Sequence, residues 1–168
     1  AWTYRMERLK AHGRELEQQV REREALLQRA TRDALTGLWN RTAILEILAR
    51  EVESARKVDA SLAIVIIDVD HFKRINDTHG HLCGDAVLRM LGAQLSARIR
   101  VADSLGRFGG EEFLLVLPGA PPQRPFLPLE RLRRSIAEIP FSHDGVLINV
   151  TASFGMAWKI PRGVFNWS

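Results

Sequence analysis

Apolar side chains in the first part of the chain recur at alternating steps of three and four residues. This spacing is typical of a helix that buries one narrow stripe, and residues 3–32 contain no proline to interrupt it. The stripe positions are Met6, Leu9, Gly13, Leu16, Val20, Arg23, Leu27 and Ala30. The pattern predicts a helix of ~45 Å at 1.5 Å per residue. It favours one strand of a parallel coiled coil, although Gly13 and Arg23 weaken the stripe; the alternative is a lone solvated helix packed on its own domain.

Helical and strand periods alternate after residue 32. The segment Asp33–Arg41 breaks the heptads with turn-forming and cap-forming residues. The patterns predict helices over Arg41–Ala55, Ala86–Arg100 and Leu129–Ile139, and strands over Ser61–Val69, Ser104–Phe108, Glu112–Leu117, Val146–Val150 and Thr151–Trp158. The stretch Asp70–Asp85 is predicted to contain a short helix and a loop. The proline-rich stretch Pro118–Pro128 is predicted to be a loop. The last segment, Lys159–Ser168, shows no hydrophobic period. A hairpin among strands separated by helices favours an α+β fold, with a mixed sheet flanked by helices.

The amino-acid composition disfavours several classes of protein. The 168 residues are 46% apolar, enough for a core, and the longest aliphatic run, Leu62–Ile67, is too short for a membrane helix. No signal peptide opens the chain, which begins at Ala1 and is interpreted as a fragment. The single cysteine, Cys83, excludes an internal disulfide and suits the cytoplasm. Any membrane association is expected only through other parts of the full-length protein.

The distribution of charge along the chain does not favour a nucleic-acid-binding protein. Residues 1–32 carry a net charge of +3, and residues 33–168 carry +1. Lys and Arg in the first segment are interspersed with Glu, which indicates a solvated helix surface. A concentrated basic patch, as a generic nucleic-acid binder would have, is not evident.

Two carboxylates end the aliphatic strand. Asp68 and Asp70 are two residues apart, so their side chains are predicted on one face at the strand end. Two such groups repel each other unless a cation neutralises them. The alternative is an ordinary polar strand end paired with Lys73 or Arg74.

A second acidic group follows two glycines. In Gly109-Gly110-Glu111-Glu112 the glycines allow a close backbone approach to a phosphate, and Glu111 would meet Asp68 and Asp70 if the hairpin lies beside their strand. Oxygen ligands of this kind favour Mg²⁺ or Mn²⁺. The alternative is a tight turn with solvated glutamates. The phosphate-binding patterns GxxxxGK[ST] and GxGxxG are absent, which disfavours P-loop and Rossmann enzymes.

The segment between these groups offers further polar side chains. His79, His81, Cys83 and Asp85 alternate, but the intervening glycines disfavour a strand and therefore a zinc site. Asn76 and Asp85 could bind a nucleobase edge. Alternatively they cap a turn and a helix, with Asp85 at the start of the helix that follows.

Four ordered blocks resemble the GGDEF-domain diguanylate cyclases, in the GGEEF form. The blocks are Asp33-x-Leu-Thr-Gly-Leu-x-Asn-Arg41, the segment Asp68–Asp85, Arg107-Phe-Gly-Gly-Glu-Glu-Phe113 and Ser153-Phe-Gly-Met-Ala157. The resemblance divides the chain into a signalling helix over 1–32 and a GGDEF domain over 33–168. It implies a nucleotidyl-cyclase-like α+β fold with a mostly antiparallel central sheet flanked by helices.

The resemblance also implies an activity and roles for individual residues. A homodimer would condense two GTP into cyclic di-GMP and two pyrophosphates, each subunit binding one GTP. Residues implied to hold Mg²⁺ (or Mn²⁺) are Asp68, Glu111 and the carbonyl of Val69, with Asp70 joining or supporting them. Residues implied to bind the nucleotide are Phe72, Asn76, His81, Asp85, Gly109 and Gly110. Lys73 would stabilise phosphate charge, and Glu111 or Glu112 would help deprotonate the ribose hydroxyl.

Two features bear on regulation and on activity. Arg100-Val-Ala-Asp103 has the RxxD spacing and the offset from Gly109 of the family's product-inhibition site; the alternative is a helix-end salt bridge. After Ala157 the chain departs from the family's usual hairpin and final helix, so Lys159 and Arg162 cannot be assigned phosphate contacts. The second interpretation is therefore a catalytically impaired receptor that binds cyclic di-GMP through Arg100 and Asp103.

Overall fold

The computed structural model describes residues 2–121, 126–159 and 165–167, in two compact units, Ala1–Arg32 and Asp33–Ser168. The first unit is one helix, α1 (Trp2–Thr31), which confirms the helix predicted for this segment. Its apolar stripe is exposed within this single chain: Leu9, Leu16, Val20 and Leu27 are between 49% and 61% accessible. No helix in the described ranges combines the length and the apolar character needed to cross a membrane.

The second unit is built on an antiparallel sheet. Its elements in chain order are α2 (Arg41–Lys57), β1 (Leu62–Val69), α3 (Phe72–His79), α4 (His81–Ser96), β2 (Ser104–Arg107), β3 (Glu112–Pro118), α5 (Phe126–Ala137), β4 (Phe141–His143), β5 (Val146–Ile148), β6 (Ala152–Lys159) and β7 (Phe165–Trp167). The main sheet has the order β2-β3-β1-β6-β7 with antiparallel neighbours, and β4 and β5 form a separate two-stranded sheet. The predicted α+β class and the mostly antiparallel sheet implied by the resemblance are confirmed. The mixed sheet predicted from the pattern of elements is wrong, because all neighbouring strands in the described part of the main sheet pair antiparallel.

Alternation along the central strand β1 divides the core. Val65 and Ile67 face a large cluster that includes side chains of α3, α4 and α5, among them the fully buried Cys83. Leu62 and Ile64 face a second cluster with the side chains of α2. Because successive strand residues point to opposite faces, one uninterrupted aliphatic run serves both layers.

The segment after α1 is attached to the outer strand of the sheet. Asn40 caps α2 by accepting a hydrogen bond from the Ala43 N–H at 3.0 Å. Just before it, Trp39 forms a parallel bridge to Gly106 of β2, donating to the Leu105 carbonyl and accepting from the Arg107 N–H at 2.8 Å. The segment thereby covers the exposed edge of β2.

The element boundaries depart from the sequence-based prediction in several places, among them the end of α4, which lies at Ser96 and not at Arg100. Helix α4 begins at His81, with Gly80 at its N-cap, so the prediction that Asp85 caps this helix is wrong. Helix α5 begins at Phe126, because Pro128 falls in the first turn, where a missing N–H is tolerated. The short strands β4 and β7 were not predicted.

Candidate active site

Acidic side chains meet where β1 ends and β3 begins. Asp68 and Glu112 are directly paired across the two strands, and the Val69 N–H donates to the Glu111 carbonyl at 3.2 Å. Within the described ranges, the carboxylates of Asp68 and Glu111 form no hydrogen bond or ion pair. The hairpin therefore brings these two groups to one end of the sheet, as the sequence predicted, and leaves both able to bind a cation.

Asp70 is held differently from Asp68. Its two oxygens accept hydrogen bonds at 2.6 Å from the hydroxyls of Thr151 and Ser153. Burial alone would raise the pKa of Asp70, but the hydroxyls of Ser153 and Thr151 and the charges of His71 and Arg133 lower it below its usual value. Asp70 is thus an ionised group that ties the end of β1 to β6, which corresponds to the supporting role among the two predicted for it.

The donor set suits a hard divalent cation. In the described part of the chain, no three His, Cys, Asp or Glu side chains are close enough to hold a metal on their own. Mg²⁺ commonly uses one or two carboxylates and completes its shell with water and substrate phosphates. Asp68, Glu111 and the carbonyl of Val69 fit that requirement.

The glycine turn is shaped by its neighbours. A Cβ on Gly109 would overlap the carboxylate of Glu112, so a larger residue here would require the Glu112 side chain to move. The N–H groups of Phe108 and Gly109 both donate to the Glu112 carbonyl, at 2.8 and 3.2 Å. Gly110 is exposed, with no atom beyond its chain neighbours within 4 Å of a Cβ placed on it. This is the open backbone that a phosphate could approach.

Helices α3 and α4 contact each other and carry the polar side chains that were predicted to bind the nucleobase. Asn76 Oδ1 is buried without a hydrogen-bond partner in the described structure, and it lies where a side chain on Gly84 would stand. Asp85 is half-buried and His81 is exposed at the start of α4. A buried amide oxygen without a partner costs free energy, which a bound donor would recover.

Two predicted nucleotide residues lie in unexpected surroundings. Phe72 is only 8% exposed and belongs to the main core, so little of its ring is available to a nucleotide. Lys73 is 85% exposed and its ammonium binds Asp77 at 2.7 Å, which raises the pKa of Lys73. Between Asp70 and Phe72, His71 has a φ of 55°, a left-handed conformation that turns the chain from β1 into α3.

Arg100 and Asp103 form a close ion pair. The guanidinium contacts Asp103 at 2.9 Å and donates to the Pro118 carbonyl at 3.2 Å, while the Arg100 N–H donates to Asp103 at 2.8 Å. The Asp103 side chain is 4% exposed and that of Arg100 is 56% exposed. An apolar cavity of about 290 Å³ adjoins them, lined by side chains that include Ile99, Leu115 and Leu129.

Some site residues were not predicted. Thr151 and Ser153 reach Asp70 from 81 and 83 positions away, and Arg107 contacts both Asp33 and Gly110. No local pattern marks a hydroxyl that meets a carboxylate from a distant strand.

The structure also disfavours the zinc site, because Cys83 is buried in the core while His79 and His81 are exposed.

The chain is similar to a known protein family and to several known proteins. The family described as diguanylate cyclase, GGDEF domain, matches residues 30–165. The chain is 45% identical over 129 residues to diguanylate cyclase DgcP of Pseudomonas aeruginosa, an alignment covering 77% of this chain and 19% of DgcP. It is 36% identical over 133 residues to the cyclic di-GMP phosphodiesterase NbdA of the same species, covering 79% and 17%.

A solved structure resembles most of this chain. The coiled coil and GGDEF domain of DgcB from Caulobacter crescentus, in complex with c-di-GMP, superimposes with a TM-score of 0.82 at 28% identity, covering 92% of this chain and 83% of that one. The chain spans about a fifth of the length of the curated relatives DgcP and NbdA. The family match covers most of the chain and includes the glycine turn and its partner carboxylates, so the chain belongs to the GGDEF-domain family of diguanylate cyclases.

Proposed function

We propose that this chain is a diguanylate cyclase, a nucleotidyltransferase that condenses two GTP into cyclic di-GMP and releases two pyrophosphates. The observation that carries the proposal is the adjacency of Asp68 and Glu111 at the end of the β1–β3 pair, each without a partner in the described structure. Carboxylate oxygens without a protein partner are ligands that a divalent cation can bind. Membership of the family supports the same chemistry.

The cation in this proposal is Mg²⁺ (or Mn²⁺). Asp68, Glu111 and the carbonyl of Val69 would hold it, and Asp70 would keep the end of β1 in place through Thr151 and Ser153. When bound, the ion would neutralise charge on the phosphates of GTP. All of its protein ligands are oxygen atoms, the donors that this class of cation prefers.

The nucleotide would lie between the helix pair and the glycine turn. Asn76 and Asp85 would read the guanine edge, with His81 lining the nucleotide site. The buried, unpartnered Oδ1 of Asn76 supports this role, because a guanine N–H can donate to it. Gly109 and Gly110 would let the phosphates approach the backbone.

Charge on the phosphates would also be met by the start of α3. Phe72 would contribute through its backbone at the helix N-terminus, where N–H groups lack helical partners. Lys73 would exchange its exposed pairing with Asp77 for the phosphates.

The reaction requires two active sites. The ribose 3′-oxygen of one GTP forms a bond to the α-phosphorus of the other, and the bond to pyrophosphate breaks. Glu111 or Glu112 takes the 3′-proton. Two such steps close the ring, and since each subunit holds one GTP, a homodimer must bring the two sites face to face. The exposed apolar stripe of α1 supports dimerisation through a coiled coil.

Cyclic di-GMP would also regulate the enzyme. Arg100 and Asp103 would bind the product cyclic di-GMP and inhibit the enzyme, since a guanidinium can pair with phosphate or stack on guanine. The domain would act in the cytoplasm, where its substrate GTP is found.

One observation favours the second candidate, a catalytically impaired cyclic di-GMP receptor. Lys159 is 9% exposed and bound to Asp59 at 3.1 Å. It pairs with Leu62, at the opposite end of β1 from Asp68, so it cannot contact a phosphate at the site. Arg162 lies outside the described residues. The charge that a final helix would bring is therefore not supplied by Lys159.

The two candidates separate in one assay. Purified protein is incubated with GTP and Mg²⁺, cyclic di-GMP is measured by chromatography and mass spectrometry, and product binding is measured by calorimetry. The proposal expects turnover that Asp68→Asn abolishes. The matched control Asp144→Asn makes the same change in an exposed turn and retains activity. Product binding without turnover would select the receptor, and a fully active Asp68→Asn protein would refute the metal assignment.

A further inference from the structure

Arg107 connects two segments that are far apart in sequence. It is the last residue of β2, and one nitrogen of its guanidinium lies 3.4 Å from both oxygens of Asp33, at the start of the domain. The other terminal nitrogen donates to the Gly110 carbonyl at 2.7 Å. The side chains of Arg107 and Asp33 are 20% and 21% exposed, so solvent screens this contact only in part.

Asp33 is itself fixed in place. One of its oxygens accepts hydrogen bonds from the Thr36 N–H at 2.9 Å and the Thr36 hydroxyl at 2.7 Å. Burial would raise the pKa of Asp33, but the two Thr36 hydrogen bonds and the charge of Arg107 lower it. Asp33 is therefore ionised at neutral pH and is a stationary anchor for the guanidinium.

The contact at Gly110 acts on the peptide that carries Glu111. The Gly110 carbonyl and the Glu111 N–H belong to one planar peptide unit, so a hydrogen bond to the carbonyl sets the orientation of both. Glycine has unusual rotational freedom, and the space around the α-carbon of Gly110 is open. In the described structure, neighbouring side-chain packing does not hold this peptide, whereas Arg107 does.

We infer that Arg107, anchored by Asp33, is a positioning residue that orients the Gly110–Glu111 peptide and with it the Glu111 carboxylate for cation binding. This inference rests on the proposed function. A planar guanidinium is suited to the task, because it can bind a carboxylate on one edge and a carbonyl on another. The remaining nitrogen, Nε, supports this view. It is buried without an acceptor in the described structure, so the side chain keeps its contacts with Asp33 and Gly110 although one of its donors is left without a hydrogen bond.

The test uses three variants and two measurements. Arg107→Met removes both contacts, Arg107→Lys keeps a charge that cannot reach both partners at once, and Asp33→Asn keeps the shape of the anchor without its charge. Amide hydrogen exchange of residues 108–112 is followed by mass spectrometry in the absence of nucleotide. Binding of Mn²⁺ is measured by calorimetry with a GTP analogue whose α–β bridging oxygen is replaced by methylene. Arg134→Met is the control, since it removes an exposed guanidinium that binds Glu130 at 2.8 Å.

We expect Arg107→Met to accelerate exchange in residues 108–112 and to weaken Mn²⁺ binding about tenfold or more, the usual effect of losing a group that orients a metal ligand. Arg107→Lys and Asp33→Asn should give smaller changes in the same direction, and Arg134→Met none. The inference is overturned if exchange in residues 108–112 is unchanged in all three variants, or if exchange rises while Mn²⁺ affinity stays within twofold of wild type. The exchange measurement needs no turnover, so a chain that makes no cyclic di-GMP would refute the proposed function while the role of Arg107 is still decided.

Discussion

Gly84 leaves the space that Asn76 needs. A side chain at position 84 would overlap the Asn76 amide and approach the Phe72 ring to 3.1 Å. We therefore expect Gly84→Ala to displace Asn76 and to weaken GTP binding by ~10-fold to 100-fold, because a recognition hydrogen bond of ~1–3 kcal/mol is lost. Calorimetry with GTP and ATP measures this, and discrimination between the two should fall.

A double variant shows whether Gly84 acts through Asn76. If it does, Asn76→Ala with Gly84→Ala binds GTP no more weakly than Asn76→Ala alone. Additive losses in the double variant would mean that Gly84 contributes by another route. The helix itself should not suffer, since alanine is favoured over glycine inside a helix by ~1 kcal/mol.

Asp70 should make stability depend on acid pH. Its pKa is lowered in the folded protein, although burial opposes this, because Ser153 and Thr151 donate to the ionised form. The stabilisation is therefore fully present above the unfolded value near 3.8 and is lost as the pH falls through the lower folded value. Thermal melts between pH 3 and 7 should show a shallower acid loss for Asp70→Asn than for wild type. A slope equal to wild type would contradict this assignment.

Removing the charge of Lys159 and removing the charge of Asp59 should lower the free energy of unfolding by different amounts. The Lys159 side chain is 10% exposed and that of Asp59 is 47% exposed. Asp59→Asn leaves a buried ammonium without its anion and should lower the free energy of unfolding by ~1–3 kcal/mol, whereas Lys159→Met leaves an anion that water can reach and should cost less. Asparagine tolerates the left-handed φ of 49° at position 59, so backbone strain does not confuse the comparison. Urea unfolding of both variants decides the order, and equal losses would disprove the asymmetry.

Arg100→Ala should relieve product inhibition at some cost to folding, because the Asp103 side chain, which is 4% exposed, loses its cation. Asp103 keeps its hydrogen bond from the N–H of residue 100 in this variant, so the turn is preserved. Initial rates at increasing cyclic di-GMP should give an inhibition constant at least tenfold higher with an unchanged KM for GTP, since a bidentate phosphate contact is lost. Arg56→Ala on the exposed surface of α2 is the control. Inhibition that persists in Arg100→Ala would place the inhibitory site elsewhere.

Adjacent leucines on α1 test the coiled coil. Leu27 lies on the heptad stripe and Leu26 does not, yet they are 56% and 65% exposed in the single chain. Leu27→Asp should weaken dimerisation at least tenfold, because each buried leucine contributes ~1.5–3 kcal/mol, whereas Leu26→Asp should leave it unchanged. Sedimentation equilibrium measures both, and equal effects would indicate that another surface forms the dimer.

The sequence predicted which segments meet at the end of the sheet better than it predicted the boundaries of the elements around them. Asp68, Glu111 and the glycine turn could be placed because they lie at the ends of a strand and a hairpin whose alternation is strong. The start of α4 was predicted too late, since Gly84 was taken as a sign of loop; its real constraint is a neighbouring helix that no local pattern shows. Ser153 and Arg107 act on partners distant in sequence, so their roles required the fold.

The buried cysteine has a practical consequence for spectroscopy. Cys83 has no exposed surface, and burial, together with the charge of Asp144, raises the pKa of its thiol. Thiol-directed probes react through the exposed thiolate, which this residue does not offer in the folded state. A cysteine introduced on α1 or on the surface of α2 can therefore carry a fluorophore or spin label without first replacing the native one. Distances between two labelled copies could then be followed while substrate and product are added to the otherwise unaltered chain.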